Sequence, residues 1–182
     1  MRLAGFTGAG YEKGRNRLWQ AGWLAVQGAV LQHWWCPAKL RIASLRFFGA
    51  SIGDGVLIRH RVRIHWPWKL TVHENAWIGE GVWILNLEPV EIGADTCLSQ
   101  GVFLCTGSHD FASETFEFDN APITIGARSW IAAQATILRG VTVGDGVVVG
   151  AKALVVKDVP DGARVLAPLG TVRLPETHET HG

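Results

Sequence analysis

The sequence predicts an all-β chain wound as a parallel β-helix of about five coils, with a helical cap at the N-terminus and one protruding loop. Three observations predict it. Aliphatic residues recur every sixth position between Ile52 and Pro160, the period is interrupted between Asp110 and Thr124, and an apolar run without formal charge, Leu18 to Trp35, precedes it. The expected organisation is a cap over residues 1–50, the repeat over 51–160 with its loop at 110–124, and a C-terminal extension over 161–182.

The cap comes first in the chain. Gln20, Gln27, Gln32 and His33 interrupt the apolar run, which leaves it short of the about 20 apolar residues of a spanning helix. No small-x-small site follows to mark a cleaved signal. Solenoid ends need covers, so a pair of helices over the open first coil is expected. Trp residues beside Lys39, Arg41 and Arg46 also have the composition of an interfacial helix, which makes peripheral membrane contact a second expectation.

The coils follow. Read from Ile125 in a fixed frame, the chain gives IGARSW, IAAQAT, ILRGVT, VGDGVV, VGAKAL and VVKDVP; upstream frames start at Ile52, Val72 and Ile92. Each hexad supplies a short strand and a corner. Alternation along the strand turns the fifth residue of one hexad and the first of the next inward, and the fifth positions Ser129, Ala135, Val141, Val147, Ala153 and Val159 are small or β-branched. A helix is a poor alternative, because residues six apart leave a helix face and Gly is costly inside one. Gly directly after the aliphatic residue is read as a corner residue needing positive φ. Trp68 and Glu88 break the small-residue rule at fifth positions.

The breaks between coils fall at one corner: Leu70 and Thr71, Val90 and Glu91, then Asp110 to Thr124. An insertion must leave a solenoid through a corner, and loops gathered on one edge commonly build its binding face. His109, within LCTGSHDF, is the last residue before the longest insertion and is expected to point outward. It fits a solvated turn histidine or a catalyst; the adjacent Ser and Asp do not make a triad, because triad members meet in space.

Composition narrows the partners. Seventeen Lys and Arg against 16 Asp and Glu leave a formal charge of +1, which gives no long-range attraction for nucleic acid. Three cysteines without a CxxC pair argue against a disulfide framework or structural zinc and suit a reducing cytoplasm. Eight of the nine Trp lie before residue 84, so the two halves of the chain are expected to face different surroundings.

With the repeat, the TGSHD corner and the closing VGDGVVVGAKALVVKDVP in hand, the chain resembles the hexapeptide-repeat acyltransferases of the left-handed β-helix type. It looks most like the colanic acid biosynthesis acetyltransferases. The match runs from roughly Phe47 to Pro160, and HWPWKLTV, WIGEGVWI and LCTGSHD carry the closer similarity. The resemblance implies left-handed winding, where crossover physics alone gives right-handed connections. It also implies a homotrimer, acetyl-CoA in a groove between subunits, and O-acetylation of a sugar hydroxyl; cytoplasmic localisation is expected from the cysteines, and no metal is expected.

His109 matches the family's catalytic base, a role that suits a neutral imidazole. Glu88, one coil away, is a candidate carboxylate to orient it, with Asp110 the rival; Glu88 also fits an ordinary residue at an irregular corner. Asn86 falls where sugar acetyltransferases often place an asparagine near the acceptor, and it fits a plain corner asparagine equally. Ala133, Gly150, Ala151 and Lys157 match positions lining the CoA groove, although repeat grammar alone explains the first three. VLAPLGTVR departs from the family's usual phrase after the last coil, leaving Arg164 and Arg173 unassigned. Two alternatives remain: a β-helical scaffold or binding module without catalysis, and a γ-type carbonic anhydrase whose zinc would need His60, His65 and His73, which lie on different faces.

Overall fold

The computed structural model describes residues 2–168. Sixteen short strands stack into three parallel sheets, the faces of a triangular prism. The first face stacks β1 (Ser51–Ile52), β4 (Leu70–Val72), β7 (Val90–Ile92), β10 (Ile123–Ile125) and β13 (Thr142–Val143). The second stacks β2 (Leu57–Ile58), β5 (Trp77–Ile78), β8 (Cys97–Leu98), β11 (Trp130–Ile131), β14 (Val148–Val149) and β16 (Arg164–Val165). The third stacks β3 (Arg63–Ile64), β6 (Trp83–Leu85), β9 (Phe103–Cys105), β12 (Thr136–Leu138) and β15 (Leu154–Val155).

The expected β-helix is therefore present, with one coil more begun than expected. β16 adds a sixth level to the second face, and Val159 bridges Val143 to add one to the first. The frame shortens there: Val159 follows Val155 by four positions in place of six. The Asp158 carboxylate accepts the Thr142 N–H at 2.7 Å and closes that short corner.

The prism core is the aliphatic column that the period predicts, including Ile58, Ile78, Leu98, Ile131 and Val149. Burying each such side chain is worth roughly 1.5–3 kcal/mol. Two corners per coil are tight, and the left-handed residue falls at the fourth hexad position, as at Gly55, Asn75, Asp95 and Arg128. The Gly directly after the aliphatic residue has a different cause from the expected one. A Cβ on Gly93 would meet the Ala127 N at 2.5 Å, so the next coil's backbone excludes a side chain there.

The third corner corrects the fixed frame. Leu70 and Val90 are buried at the inward positions assigned to Trp68 and Glu88. The extra residues belong to the corner before them, so Trp68 and Glu88 ride outside the prism. The vacated inward positions are filled by Trp66, Asn86 and Thr106, all buried.

The cap consists of α1 (Arg17–Val26), a π-helical turn (Gln27–Leu31) that continues it, and α2 (Ala38–Phe47). Asn16 opens α1 by accepting the Trp19 N–H at 2.9 Å, as an N-cap asparagine does. The open edge of the first coil exposes backbone groups that need partners, and cap side chains supply them. Trp23 Nε1 donates to the Ile64 carbonyl, Gln27 accepts the Ile64 N–H, and Arg41 donates to the Ile58 carbonyl. Among the described residues, no helix is long and apolar enough to cross a membrane.

Candidate active site

Residues Thr106 to Ala121 leave the third corner as a finger with an antiparallel stem. The Ala121 N–H donates to the Thr106 carbonyl, Asp119 to Ser108, and Asp110 to Glu117. His109 bridges Phe118 across this stem, so it lies inside the finger rather than before it. The finger ends earlier than expected, because Thr124 already belongs to β10.

The imidazole of His109 is half-buried in an aromatic cage. It stacks on Phe116 at 4.3 Å and 7° and on Phe118 at 4.9 Å, and the edge of Phe6 closes the third side at 5.7 Å. Nδ1 lies 2.9 Å from the Phe116 carbonyl oxygen. A carbonyl only accepts, so Nδ1 carries the proton and Nε2 keeps its lone pair. Phe116 adopts φ 57°, a conformation costing a bulky residue about 1–3 kcal/mol and kept only where the surrounding structure over-determines the backbone. That rotation turns its carbonyl towards His109.

Neither carboxylate considered from the sequence orients this ring. Glu88 lies 3.8 Å from Lys69 Nζ, and its N–H donates to Thr106 Oγ1. It shares no hydrogen bond with His109. Asp110 turns away, accepting the Ala112 N–H at 2.9 Å. Asn86 points into the prism, where its side chain accepts the Trp66 N–H at 2.9 Å and donates to the Trp66 carbonyl at 2.5 Å. Both ends of its amide are spent on the coil below, which accounts for the asparagine without an acceptor.

Ala133 and Ala151 sit at the same tight corner on successive coils, with the Lys152 N–H donating to the Ala133 carbonyl at 2.9 Å. Gly150 donates to the Val165 carbonyl at 2.7 Å, and a Cβ there would meet that oxygen at 3.1 Å. Lys157 lies across the third face, at the corner that carries His109. Within one chain these four residues do not form one pocket. Arg164 belongs to β16 and is exposed, while Arg173 lies outside the described residues.

Sequence reasoning missed the residues that surround the His109 ring: Phe6, Phe116 and Phe118. It also missed Arg139, which pairs with Asp119 at the finger's exit. An open cleft of about 320 Å³, lined by Gly107, Ser108, Leu138, Arg139 and Val156, adjoins the finger. Cys105 is not a rival nucleophile there, since burial pushes its thiol pKa up and Sγ donates to the Gly107 carbonyl. The three histidines of the carbonic anhydrase alternative do not converge: His60 pairs with Glu80, His73 with Glu91, and His65 packs on Trp66. Among the described residues, no three His, Cys, Asp or Glu side chains gather as a metal site would require.

Comparison with known proteins agrees with this architecture. The family described as bacterial transferase hexapeptide (six repeats) matches residues 122–157. The colanic acid biosynthesis acetyltransferase WcaF of Escherichia coli K12 is 43% identical over 161 residues, 87% of either chain. The galactoside O-acetyltransferase of the same strain is 29% identical over 114 residues, covering 61% of this chain and 56% of its own. A hexapeptide-repeat acetyltransferase of Vibrio cholerae O1 biovar eltor, solved with acetyl-CoA, superposes with a TM-score of 0.76 at 22% identity, covering 89% of this chain and 88% of its own. The chain belongs to the hexapeptide-repeat acyltransferases, among the colanic acid biosynthesis acetyltransferases.

Proposed function

We propose that this protein is an acetyl-CoA-dependent O-acetyltransferase acting on a saccharide hydroxyl in polysaccharide or glycolipid biosynthesis, with His109 as its general base. The observation that carries the reading is the Nδ1–H bond to the Phe116 carbonyl, which leaves Nε2 as a proton acceptor; the residue before it, Ser108, lines an open cleft. The relatives named for sugar acetylation and the acetyl-CoA complex of the Vibrio protein support the donor and the acceptor class.

A sugar hydroxyl does not ionise at neutral pH, so its proton must leave as it attacks. Nε2 takes that proton while the oxygen bonds to the thioester carbonyl carbon. The tetrahedral adduct then collapses, the C–S bond breaks, and the imidazolium returns the proton to the departing sulfur. The products are the acetyl ester and CoA, with His109 neutral again. A backbone N–H from a neighbouring subunit is the expected donor to the oxyanion.

The assembly in this reading is a homotrimer. The third face supports it, because its outward side stacks Trp83 on Phe103 at 4.7 Å and, beyond Thr136, exposes Leu154 and Val156; exposed apolar surface of this kind marks an interface. A subunit groove would bring the corner with Ala133, Gly150 and Ala151 against another chain's corner with Lys157. Lys157 then serves a CoA phosphate as a point charge.

The cap supports peripheral membrane contact and hence a lipid-linked acceptor. Leu18, Ala21, Leu24, Ala25, Gly28 and Ala29 form an exposed apolar stripe along α1 and its π-helical turn, and Trp34 and Trp35 stand exposed after it. Lys13 to Gly53 contains six Lys and Arg and no acidic residue, complementary to an anionic bilayer. Binding to phosphatidylglycerol vesicles that fades with salt is expected; indifference to them removes this part of the reading.

The central test is calorimetric titration with acetyl-CoA beside chromatographic detection of CoA release with saccharide acceptors. Wild type and His109→Ala are expected to bind about one acetyl-CoA per subunit, and only wild type to release CoA faster when an acceptor is present. An unliganded protein under saturating acetyl-CoA would return the β-helix to the scaffold reading.

A further inference from the structure

The chain before the cap is not an unattached leader. Residues 2–13 run along the finger and the third corner, bonding to both. The Arg2 N–H donates to the Glu114 carbonyl at 2.7 Å, Lys69 Nζ to the Glu12 carbonyl at 2.6 Å, and Trp68 Nε1 to the Lys13 carbonyl at 2.7 Å. Tyr11 packs edge-on against Phe118 at 5.1 Å, and Phe6 touches both Phe118 and His109.

One finger side chain gathers this arm. Glu117 Oε1 accepts the Thr7 N–H and the Thr7 hydroxyl, each at 3.1 Å, and Oε2 accepts the Ala9 N–H at 3.2 Å. Glu117 directly follows Phe116, and its own carbonyl accepts the Asp110 N–H at 2.9 Å. The residue that fastens the arm therefore lies between the carbonyl that holds His109 and the stem bond next to His109. The arm bonds draw the Glu117 carboxyl below the usual carboxylate range, the Thr7 N–H contributing most.

We infer that Glu117 is a positioning residue: by latching the N-terminal arm at Thr7 and Ala9, it holds the Phe116 carbonyl against His109 Nδ1 and so keeps Nε2 as the base. The latch compensates for the left-handed backbone at Phe116, which nothing in that residue's own side chain favours. The arm also delivers Phe6 to the ring's open side. This inference rests on His109 being the base, and its test includes a reading that needs no turnover.

The experiment compares wild type with Glu117→Ala, Glu117→Gln and Thr7→Val. Nitrogen-15 NMR of the His109 imidazole at pH 8 reports the tautomer directly, and steady-state kinetics report its consequence. Wild type is expected to hold Nδ1–H, and Glu117→Ala to show a mixture of tautomers. General-base catalysis contributes about 10²–10⁴-fold; partial misalignment is expected to lower kcat about tenfold, with KM for acetyl-CoA unchanged. Glu117→Gln keeps an acceptor for Thr7 and is expected to fall between, as is Thr7→Val, which removes one hydroxyl bond. A Glu117→Ala protein with the wild-type tautomer overturns the inference, whether or not its stability has dropped. A wild type that holds Nδ1–H but transfers no acetyl group instead overturns the proposed activity and leaves the latch standing.

Discussion

The two tight corners of each coil and the third corner are made from the same hexads, yet they do different work. At the tight corners a single left-handed residue reverses the chain, and the outward side chain there can be Gly, Asn, Asp, Arg or Gln. Backbone geometry is the requirement, and side-chain chemistry is free. At the third corner the length changes from coil to coil, buried polar groups replace aliphatic ones at Asn86 and Thr106, and the finger emerges. A solenoid can vary one edge because the other two carry its periodicity. Polar side chains and the finger gather where the repeat is relaxed.

That contrast predicts effects of different kind as well as size. The largest belongs to the relaxed corner: His109→Ala is expected to lower kcat by about 10²–10⁴-fold, while thermal unfolding moves little because only partly exposed ring stacking and one hydrogen bond are lost. A stability loss that alone accounts for the missing activity would break the contrast.

Asn86→Ala should reverse that pattern. It orphans the buried N–H of Trp66 and removes one of two donors to the Trp66 carbonyl, which keeps the Lys69 N–H, at about 1–3 kcal/mol for the unsatisfied group. Denaturant unfolding is expected to show the loss, with KM for the saccharide unchanged in whatever folds; a raised acceptor KM would restore Asn86 as a substrate ligand. Gly93→Ala tests the regular prism. Its new methyl group meets backbone on the next coil, and overpacking of this kind costs about 1–3 kcal/mol, read as a lower midpoint.

Smaller effects sharpen the comparison at the finger. Glu117 has a depressed pKa in the folded protein, so its contribution is present above the unfolded-state value and is lost as pH falls through the folded one. The melting temperature of wild type is expected to fall more steeply in that acid window than that of Glu117→Gln, and parallel curves would deny the arm its latch. The smallest effect is expected from Glu88→Gln, which leaves kcat within about twofold, because Glu88 faces Lys69 and not His109. A loss comparable to that of His109→Ala would reinstate the carboxylate.

Most of the prism was legible because its cause is local. An inward Ile or Val every sixth residue, and a Gly wherever the neighbouring coil comes close, are written along the chain at fixed spacing. Even so, the reason for Gly93 was misread as a turn requirement, since the backbone that excludes its side chain lies 34 residues away at Ala127. Glu88 was misplaced for a related reason. A fixed frame counts residues, whereas Val90 enters the core because it is the residue that resumes the parallel register with Leu70.

His109 is legible as a candidate from position and resemblance, and the carbonyl that holds its ring is not. The sequence by itself determined the coil, the edge at which the repeat opens and the histidine at that opening, because these follow from spacing within a few residues. Only the tertiary structure decided that a backbone carbonyl holds the imidazole, that Phe6 and Thr7 reach a finger more than one hundred residues away, and that Asn86 turns inward. Those contacts depend on side-chain direction and on chain segments brought together by folding, and neither is encoded in spacing.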